Sequence, residues 1–193
     1  MPQPRPAYKP GQFYHFFNRG RSRLSIFKET DNYLFVLRKI KQYAHQFELK
    51  LIAYCLMPNH YHFLVRQDGN HPSRLLPQRV FNSYAKAYNL HYQHSGTIFE
   101  GDYKVKCIRK PDYLLHLCRY IHSNPVKHGL VADPAHWPYS NYLEWVGERR
   151  GTLFDSHFAR ENFPQPANYR EFVQADLRGR DLPQAIKRYL DNW

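Results

Sequence analysis

Residues 57–65 have the sequence Met-Pro-Asn-His-Tyr-His-Phe-Leu-Val, in which two histidines flank a single hydrophobic residue. Side chains alternate between the two faces of a β-strand, so His60 and His62 are predicted to project from the same face. Tyr61 and Phe63 then point the other way, into a hydrophobic core. Two neighbouring imidazoles on one sheet face are a suitable pair of ligands for a divalent metal ion.

The residues before the histidines predict a β-hairpin. Residues 49–57 are apolar and β-prone, and they form the first strand of the hairpin. Pro58 and Asn59 suit the central positions of a tight turn, because proline fixes the first backbone angle and asparagine tolerates the second position. The second strand then begins with the histidine pair.

Hydrophobic periodicity predicts the other elements of the chain. In order they are a strand over residues 12–18, a helix over 31–47, a helix over 73–92, one or two strands within 97–109, and a helix over 111–123. The last helix is expected to end at Asn124, because Pro125 disfavours helical geometry in the residue before it.

The order β-α-β-β-α-β-α predicts an α+β fold with a ferredoxin-like split β-α-β core. In this fold an antiparallel sheet carries helices on one face, and the other face is free to carry a site. We expect a catalytic domain over residues 1–150. Residues 151–193 form a short C-terminal extension with a possible helix near 183–190, which serves as a flap over the site or as a DNA contact.

The charge of the chain indicates the class of partner. Its 193 residues include 28 Lys and Arg against 16 Asp and Glu, a net charge of +12 with a pI near 9.7. A domain this basic attracts polyanions, nucleic acid above all. The 16 Tyr, 13 Phe and 3 Trp also provide rings on which unpaired bases can stack, although most such rings are expected in the core.

Composition also bounds the location of the protein. No apolar run approaches the roughly 18 residues that a membrane span needs, and the first six residues, Met-Pro-Gln-Pro-Arg-Pro, lack the apolar segment of a secretory signal. Three cysteines without zinc or redox spacing indicate free thiols in a reducing compartment. We therefore expect a cytoplasmic, nucleoid-associated protein that does not contact the membrane.

One tyrosine lies in a favourable position for chemistry. Residues four apart lie one above the other on a helix, so His116, Tyr120 and Asn124 share a stripe beside the hydrophobic one. A phenol next to an amide that can offer its oxygen to a metal can act as an oxygen nucleophile. Spacing alone does not separate Tyr120 from the other tyrosines, and an ordinary surface phenol remains the alternative.

Three segments of the chain resemble a known family. Residues 14–20 (YHFFNRG), 57–65 (MPNHYHFLV) and 120–131 (YIHSNPVKHGLV) are similar, in this order, to motifs of the REP-associated tyrosine transposases. These belong to the single-tyrosine branch of the HUH nucleases, a superfamily named for its His-hydrophobic-His motif. The similarity runs from about residue 10 to residue 150.

The resemblance implies a ferredoxin-like catalytic fold and a divalent ion, Mg²⁺ or Mn²⁺, held by His60 and His62. Tyr120 matches the family's nucleophile. Asn124 matches the polar residue one helical turn later, where insertion-sequence relatives often have glutamine, and is the implied third metal ligand.

The resemblance also implies a substrate, single-stranded DNA with hairpins of the REP (repetitive extragenic palindromic) type. Attack by Tyr120 gives a 5′-phosphotyrosyl link and a free 3′-OH, and a second 3′-OH can reverse the step on a new strand. The bond energy is conserved, so no nucleotide cofactor is needed, in agreement with the lack of a Walker-type loop.

Basic residues near the three motifs are predicted to contact the DNA backbone, and together they should make binding fall steeply with salt. The predicted DNA-binding residues are Asn18, Arg19, Arg21, Arg23, Lys104, Lys106, Arg109 and Lys127. For each one alone, a solvated surface side chain is the alternative.

Two other functions remain open from the sequence. One is a domesticated relative that binds REP hairpins without cutting them. The other is a metal hydrolase built on the histidine pair, which is disfavoured because no Asp or His follows His62 closely enough to complete a hydrolase cluster. The sequence does not decide between a monomer and a dimer.

Overall fold

The structure is a computed structural model that describes residues 6–178. Its elements are β1 (Phe13–Arg19), α1 (Thr30–Gln46), β2 (Leu49–Met57), β3 (His60–Gln67), α2 (Leu75–His91), β4 (Lys104–Ile108), α3 (Pro111–Lys127), α4 (Tyr142–Trp145), α5 (Ser156–Asn162) and α6 (Pro166–Leu177). The helix predicted near residues 183–190 lies outside the described residues. Within the described part of the chain, every helix is too short or too polar to cross a membrane.

The four strands form one antiparallel sheet in the order β2-β3-β1-β4. With α1 between β1 and β2, and α2 between β3 and β4, this is the predicted split β-α-β arrangement, and the fold class is confirmed. Pro58 and Asn59 form the two-residue connection of the hairpin, so Met57 pairs directly with His60. The histidine pair therefore lies at one end of the sheet.

The two faces of the sheet bury different sets of side chains, as the alternation predicts. Tyr61 and Phe63 pack with β1 residues under α1 and α2 in one hydrophobic cluster. Leu64 belongs to a second cluster on the opposite face, together with residues of α3 such as Leu117.

The second face, predicted to be free, is covered over most of its area by α3 to α6. The reason is that this face also carries apolar residues such as Met57 and Ile108, which need a covering layer. The end of this face that carries the histidines opens into a cavity.

Helix α3 is longer than predicted, and the expectation that it ends at Asn124 is wrong. The helix runs through Pro125 to Lys127. The N–H group of His128 donates to the Asn124 carbonyl at 2.9 Å, and Pro125 is buried in the packed interior. Tertiary packing here outweighs the local preference of the residue before a proline. As a result Lys127 lies on the same helix as Tyr120, two turns later.

The outer edge of β2 is covered by residues 137–145. The Tyr54 N–H donates to Asn141 Oδ1 at 2.7 Å, and Asn141 Nδ2 donates to the Ile52 carbonyl at 2.9 Å. Asn141 Oδ1 also lies 2.9 Å from Nε2 of His122 on α3. The Asn141 side chain thus forms hydrogen bonds with the backbone at the edge of β2 and connects this edge to the helix that carries Tyr120.

Candidate functional site

A cavity of about 410 Å³ opens where the start of β3, the end of β1 and helix α3 meet. It is lined by Phe17, Asn18, Arg19, Arg23, Asn59, His60, His62, Glu100, Lys104, Tyr120 and His128. The structure therefore brings both motif histidines and the predicted nucleophile together around one space.

The two motif histidines lie side by side at the wall of this cavity. Their ring centroids are 5.2 Å apart and the rings are nearly perpendicular, at 86°. His60 Nδ1 lies 2.7 Å from Oδ1 of Asn59, and an amide oxygen only accepts hydrogen bonds. His60 Nδ1 therefore carries the proton, and Nε2 keeps the lone pair that a metal requires.

Burial keeps both rings neutral. It lowers the pKa of His60 to about 4, with a further decrease from His128, while the Asn124 side chain, which would accept a hydrogen bond from the protonated ring, acts in the opposite direction. Burial also lowers the pKa of His62 well below its usual value, and the neighbouring imidazoles add to the effect. At neutral pH the two rings are thus in the form that binds metal, and no proton has to be displaced.

His15 on β1 is a buried partner that sequence reasoning missed. Its Nε2 lies 3.2 Å from Nδ1 of His62, and its side chain is fully buried. A metal bound at Nε2 of His62 would leave Nδ1 for this contact. A hydrogen bond to the second ring nitrogen is the usual support for a metal-binding histidine. The sequence does contain an indication of this contact. Side chains alternate along β1, so His15 and Phe17 lie on the same face, which is the face that carries His62.

Helix α3 presents Tyr120 to the histidine pair. The Tyr120 ring lies 5.7 Å from the His62 ring, edge to face at 85°, and lines the cavity. Asn124, one turn later, is buried, and its Nδ2 donates to the Tyr120 carbonyl at 2.8 Å. Since the amide nitrogen is used in this way, the amide oxygen of Asn124 is the atom left for a ligand beside His60.

These residues fit an open divalent metal site. Among residues 6–178, no group of three or more His, Cys, Asp or Glu side chains is arranged to hold an ion. A metal at His60 and His62 would take its other ligands from oxygen atoms, with Asn124 as the protein's contribution and water at the open positions. This donor set suits Mg²⁺ or Mn²⁺ and differs from the four protein ligands of a structural zinc site.

Four of the predicted DNA-binding residues line the cavity: Asn18, Arg19, Arg23 and Lys104. Arg19 forms a double hydrogen bond with Glu100 at 2.6 and 2.7 Å, and both side chains are about half exposed. Asn18 donates to the Gly101 carbonyl at 3.1 Å and accepts from the Arg19 N–H at 2.9 Å, so it shapes the rim of the cavity.

The other predicted DNA-binding residues lie elsewhere. Arg21 and Arg109 are exposed outside the cavity lining, and Lys106 lies on β4 opposite His15. Lys127 forms an ion pair with Asp176 of α6, with 2.6 Å between Nζ and Oδ2.

His128 is a further residue that sequence reasoning missed. Its ring lies 5.0 Å from the His60 ring and lines the cavity. The signal was its position eight residues after Tyr120, but a helix predicted to end at Asn124 hides that relation.

Comparisons with known proteins agree with this geometry. Residues 10–124 match the family model described as "Transposase IS200 like". A Haemophilus influenzae (strain ATCC 51907 / DSM 11121 / KW20 / Rd) protein described as a REP-associated tyrosine transposase is 31% identical over 117 residues. The match covers 53% of this chain and 64% of that protein, so the chain spans less than two thirds of the relative's length.

A solved structure described as a REP-associated tyrosine transposase bound to a REP hairpin has a similar fold. The TM-score is 0.64 at 21% identity, and the match covers 80% of this chain and 94% of that one. The family predicted from the three motifs is thus confirmed by a match across more than half of the sequence. The chain belongs to the IS200-like transposase family.

Proposed function

We propose that this protein is a metal-dependent endonuclease and strand transferase that acts on single-stranded DNA with REP-type hairpins. The observation that carries the proposal is the shared cavity, in which the Tyr120 ring lies 5.7 Å from the His62 ring and His60 is adjacent. The net charge of +12 supports a nucleic-acid substrate. The protein acts in the cytoplasm, at the nucleoid.

His60, His62 and Asn124 are the residues that would hold the divalent ion. When bound, the ion supplies Lewis-acid polarisation of the scissile phosphate. The neutral imidazoles contribute nitrogen lone pairs. Asn59 contacts the second ring nitrogen of His60, and His15 contacts that of His62, so both rings are held in orientation.

Tyr120 performs the covalent step. Its phenolic oxygen forms a bond to the phosphorus while the bond from phosphorus to the 3′ oxygen of the preceding nucleotide breaks. The phenol proton leaves to solvent, and the departing 3′ oxygen takes up a proton from solvent. The products are a 5′-phosphotyrosyl link and a free 3′-OH, and attack by another 3′-OH reverses the step without a nucleotide triphosphate.

The rim of the cavity positions the DNA backbone. Arg23 and Lys104 bind phosphates directly, and Asn18 orients the strand at the cavity. Arg19 can exchange its exposed pairing with Glu100 for a phosphate, because an ion pair between exposed side chains is weak. Arg21, Lys106 and Arg109 contact the flanking DNA. Residues 1–150 form the catalytic domain, and residues 151–193 form an accessory segment.

Incubation with Mg²⁺ or Mn²⁺ and a labelled hairpin oligonucleotide tests the proposal. We expect a covalent protein–DNA adduct on a denaturing gel that is lost in Tyr120→Phe and retained in Tyr113→Phe, a matched change on the same helix. Tight binding without any adduct would instead identify a hairpin-binding protein. Cleavage that survives Tyr120→Phe would identify a metal hydrolase.

A further inference from the structure

A buried carboxylate lies behind the proposed nucleophile. Asp176 belongs to α6, and its side chain is 4% exposed. Its Oδ2 lies 2.6 Å from Lys127 Nζ and 3.1 Å from Ser123 Oγ, whose proton is shared with the Arg119 carbonyl at 2.6 Å. Arg119 Nε lies 3.9 Å from its Oδ1. Within residues 6–178, the polar partners of this carboxylate come from α3, the helix that carries Tyr120.

Lys127 connects this carboxylate to the nucleophile. Its Nζ lies 5.5 Å from the centroid of the Tyr120 ring, within the range of a cation–π contact. A lysine side chain has several rotatable bonds and is mobile at a surface. The ion pair with Asp176 restricts this freedom and keeps the ammonium group beside Tyr120.

The local charges favour an anion at Tyr120. Two cations, Lys127 and Arg119, surround the single carboxylate of Asp176, so the group as a whole carries an excess positive charge. Negative charge develops on the phenolic and phosphoryl oxygens when the phenol attacks a phosphate. A cation already held in place stabilises such charge without any reorganisation at the moment of reaction.

We propose that Lys127 stabilises the negative charge that develops at Tyr120 during DNA cleavage, and that Asp176 is the residue that positions Lys127. The lysine neither gives nor takes a proton in this role, and the bonds formed and broken are those of the attack described above. The inference rests on the proposed function. It gives the C-terminal segment a role in the reaction, because Asp176 lies within residues 151–193, beyond residue 124, where the family match ends.

This assignment differs from two simpler roles of the same residues. Lys127 could contact the DNA backbone, as the sequence alone suggests, or the ion pair could only fasten α6 to α3. A backbone contact acts on affinity, and a fastening acts on stability. A charge held beside the nucleophile acts on the rate of the covalent step.

Single-turnover adduct formation separates these roles, with the full chain, Mn²⁺ and saturating hairpin oligonucleotide. The variants are Lys127→Met, Lys127→Arg, Asp176→Asn and the double variant Lys127→Met/Asp176→Asn. Two controls accompany them: Lys39→Met and Lys50→Met each remove a surface charge distant from Tyr120. Hairpin affinity at several salt concentrations and the melting temperature are measured for each protein.

We expect Lys127→Met to slow adduct formation at least about tenfold, while hairpin affinity and its salt dependence stay unchanged. Lys127→Arg restores the charge and should retain a rate within about threefold of the wild type. Asp176→Asn should also slow the step. Because Asp176 acts through Lys127, the double variant should be no slower than Lys127→Met alone. Both controls should react at the wild-type rate.

Three results would overturn the inference. In the first, Lys127→Met reacts at the wild-type rate but binds more weakly, with a salt slope reduced by about one, as for a backbone contact. In the second, the double variant is slower than either single variant by the product of their separate effects, and the loss of rate in each variant is proportional to its loss of melting temperature. In the third, the wild type forms no adduct at all, and then the proposed function fails first and the inference with it.

Discussion

At the scale of single residues, the proposed metal site would depend on atoms that do not themselves contact the ion. His60 Nδ1 donates to Asn59, and His62 Nδ1 is paired with the buried His15. These contacts select the ring nitrogen that remains for a ligand. The motif His-x-His thus predicts the two ligands, but not the residues that orient them, because those come from a turn and from another strand.

We predict that His15→Leu weakens Mn²⁺ binding by about 10- to 100-fold, since His62 loses the partner that fixes its orientation. His15→Gln should retain more of the affinity, because an amide oxygen can accept the hydrogen bond from His62 Nδ1. Calorimetric titration of each variant with Mn²⁺ measures the effect. His136→Leu, a change at an exposed histidine, is the control. Wild-type affinity in His15→Leu would contradict this role.

At the scale of elements, the sequence predicts the strands and helices better than it predicts their ends. Alternation places His60 and Tyr61 on opposite faces, and Pro58 with Asn59 predicts the hairpin, because these are local properties of a few residues. The extension of α3 beyond Asn124 is not local. It depends on the packing of α3 against β2 and α6, elements distant in the sequence. For the same reason, the sequence does not predict the covering of the second sheet face.

The edge of β2 provides a stability prediction. Asn141→Ala leaves the Tyr54 N–H, the Ile52 carbonyl and the His122 ring without one partner each in a buried position. We expect the free energy of unfolding to fall by about 2–4 kcal/mol. Urea denaturation measures it, with Asn162→Ala, an exposed change, as the control. A loss below about 0.5 kcal/mol, the size of an ordinary surface effect, would show that the edge does not depend on this amide.

His122, a buried residue of α3 that contacts α6, gives the fold a pH dependence. Burial lowers the pKa of His122 from 6.5 to about 4, and the ring contacts Tyr169 at 2.6 Å and Asn141 at 2.9 Å, neither of which is charged at acidic pH. The rings of Tyr142 and Trp145 also pack against it. Because the unfolded chain binds this proton more readily, the stabilising contribution is complete above pH 6.5 and is lost as the pH falls through 4.

We therefore predict that the free energy of unfolding decreases between about pH 6.5 and pH 4, by up to about 3 kcal/mol for His122 alone. The buried His15, His60 and His62 act in the same direction, because burial lowers the pKa of each. Urea denaturation at a series of pH values measures the slope. His122→Asn should flatten part of it, and a wild-type stability that stays constant over this range would contradict the prediction.

At the scale of the whole molecule, the residues of the candidate site lie at one end of a sheet face that helices cover over most of its area, in a chain with a large positive charge. The sequence predicts His60, His62 and Tyr120 as one site, and the structure places all three around one cavity. Glu100 and His128 reach the same cavity from a loop and a helix end whose positions depend on tertiary packing. That is why no local pattern identifies Glu100, and why His128 is missed when α3 is predicted to end at Asn124. The roles of all these residues in catalysis remain predictions.

The central claim is that Tyr120, beside the histidine pair, becomes covalently linked to the 5′ phosphate of cleaved DNA. Digestion of the adduct with trypsin and a nuclease releases residues 120–127, in which Tyr120 is the only tyrosine. After reaction with a hairpin oligonucleotide and Mn²⁺, mass spectrometry should find this peptide with an added nucleotide 5′-phosphate, and should find it unmodified when EDTA is present. An unmodified peptide from a reaction that cleaved the DNA, or a nucleotide on another residue, would contradict the account.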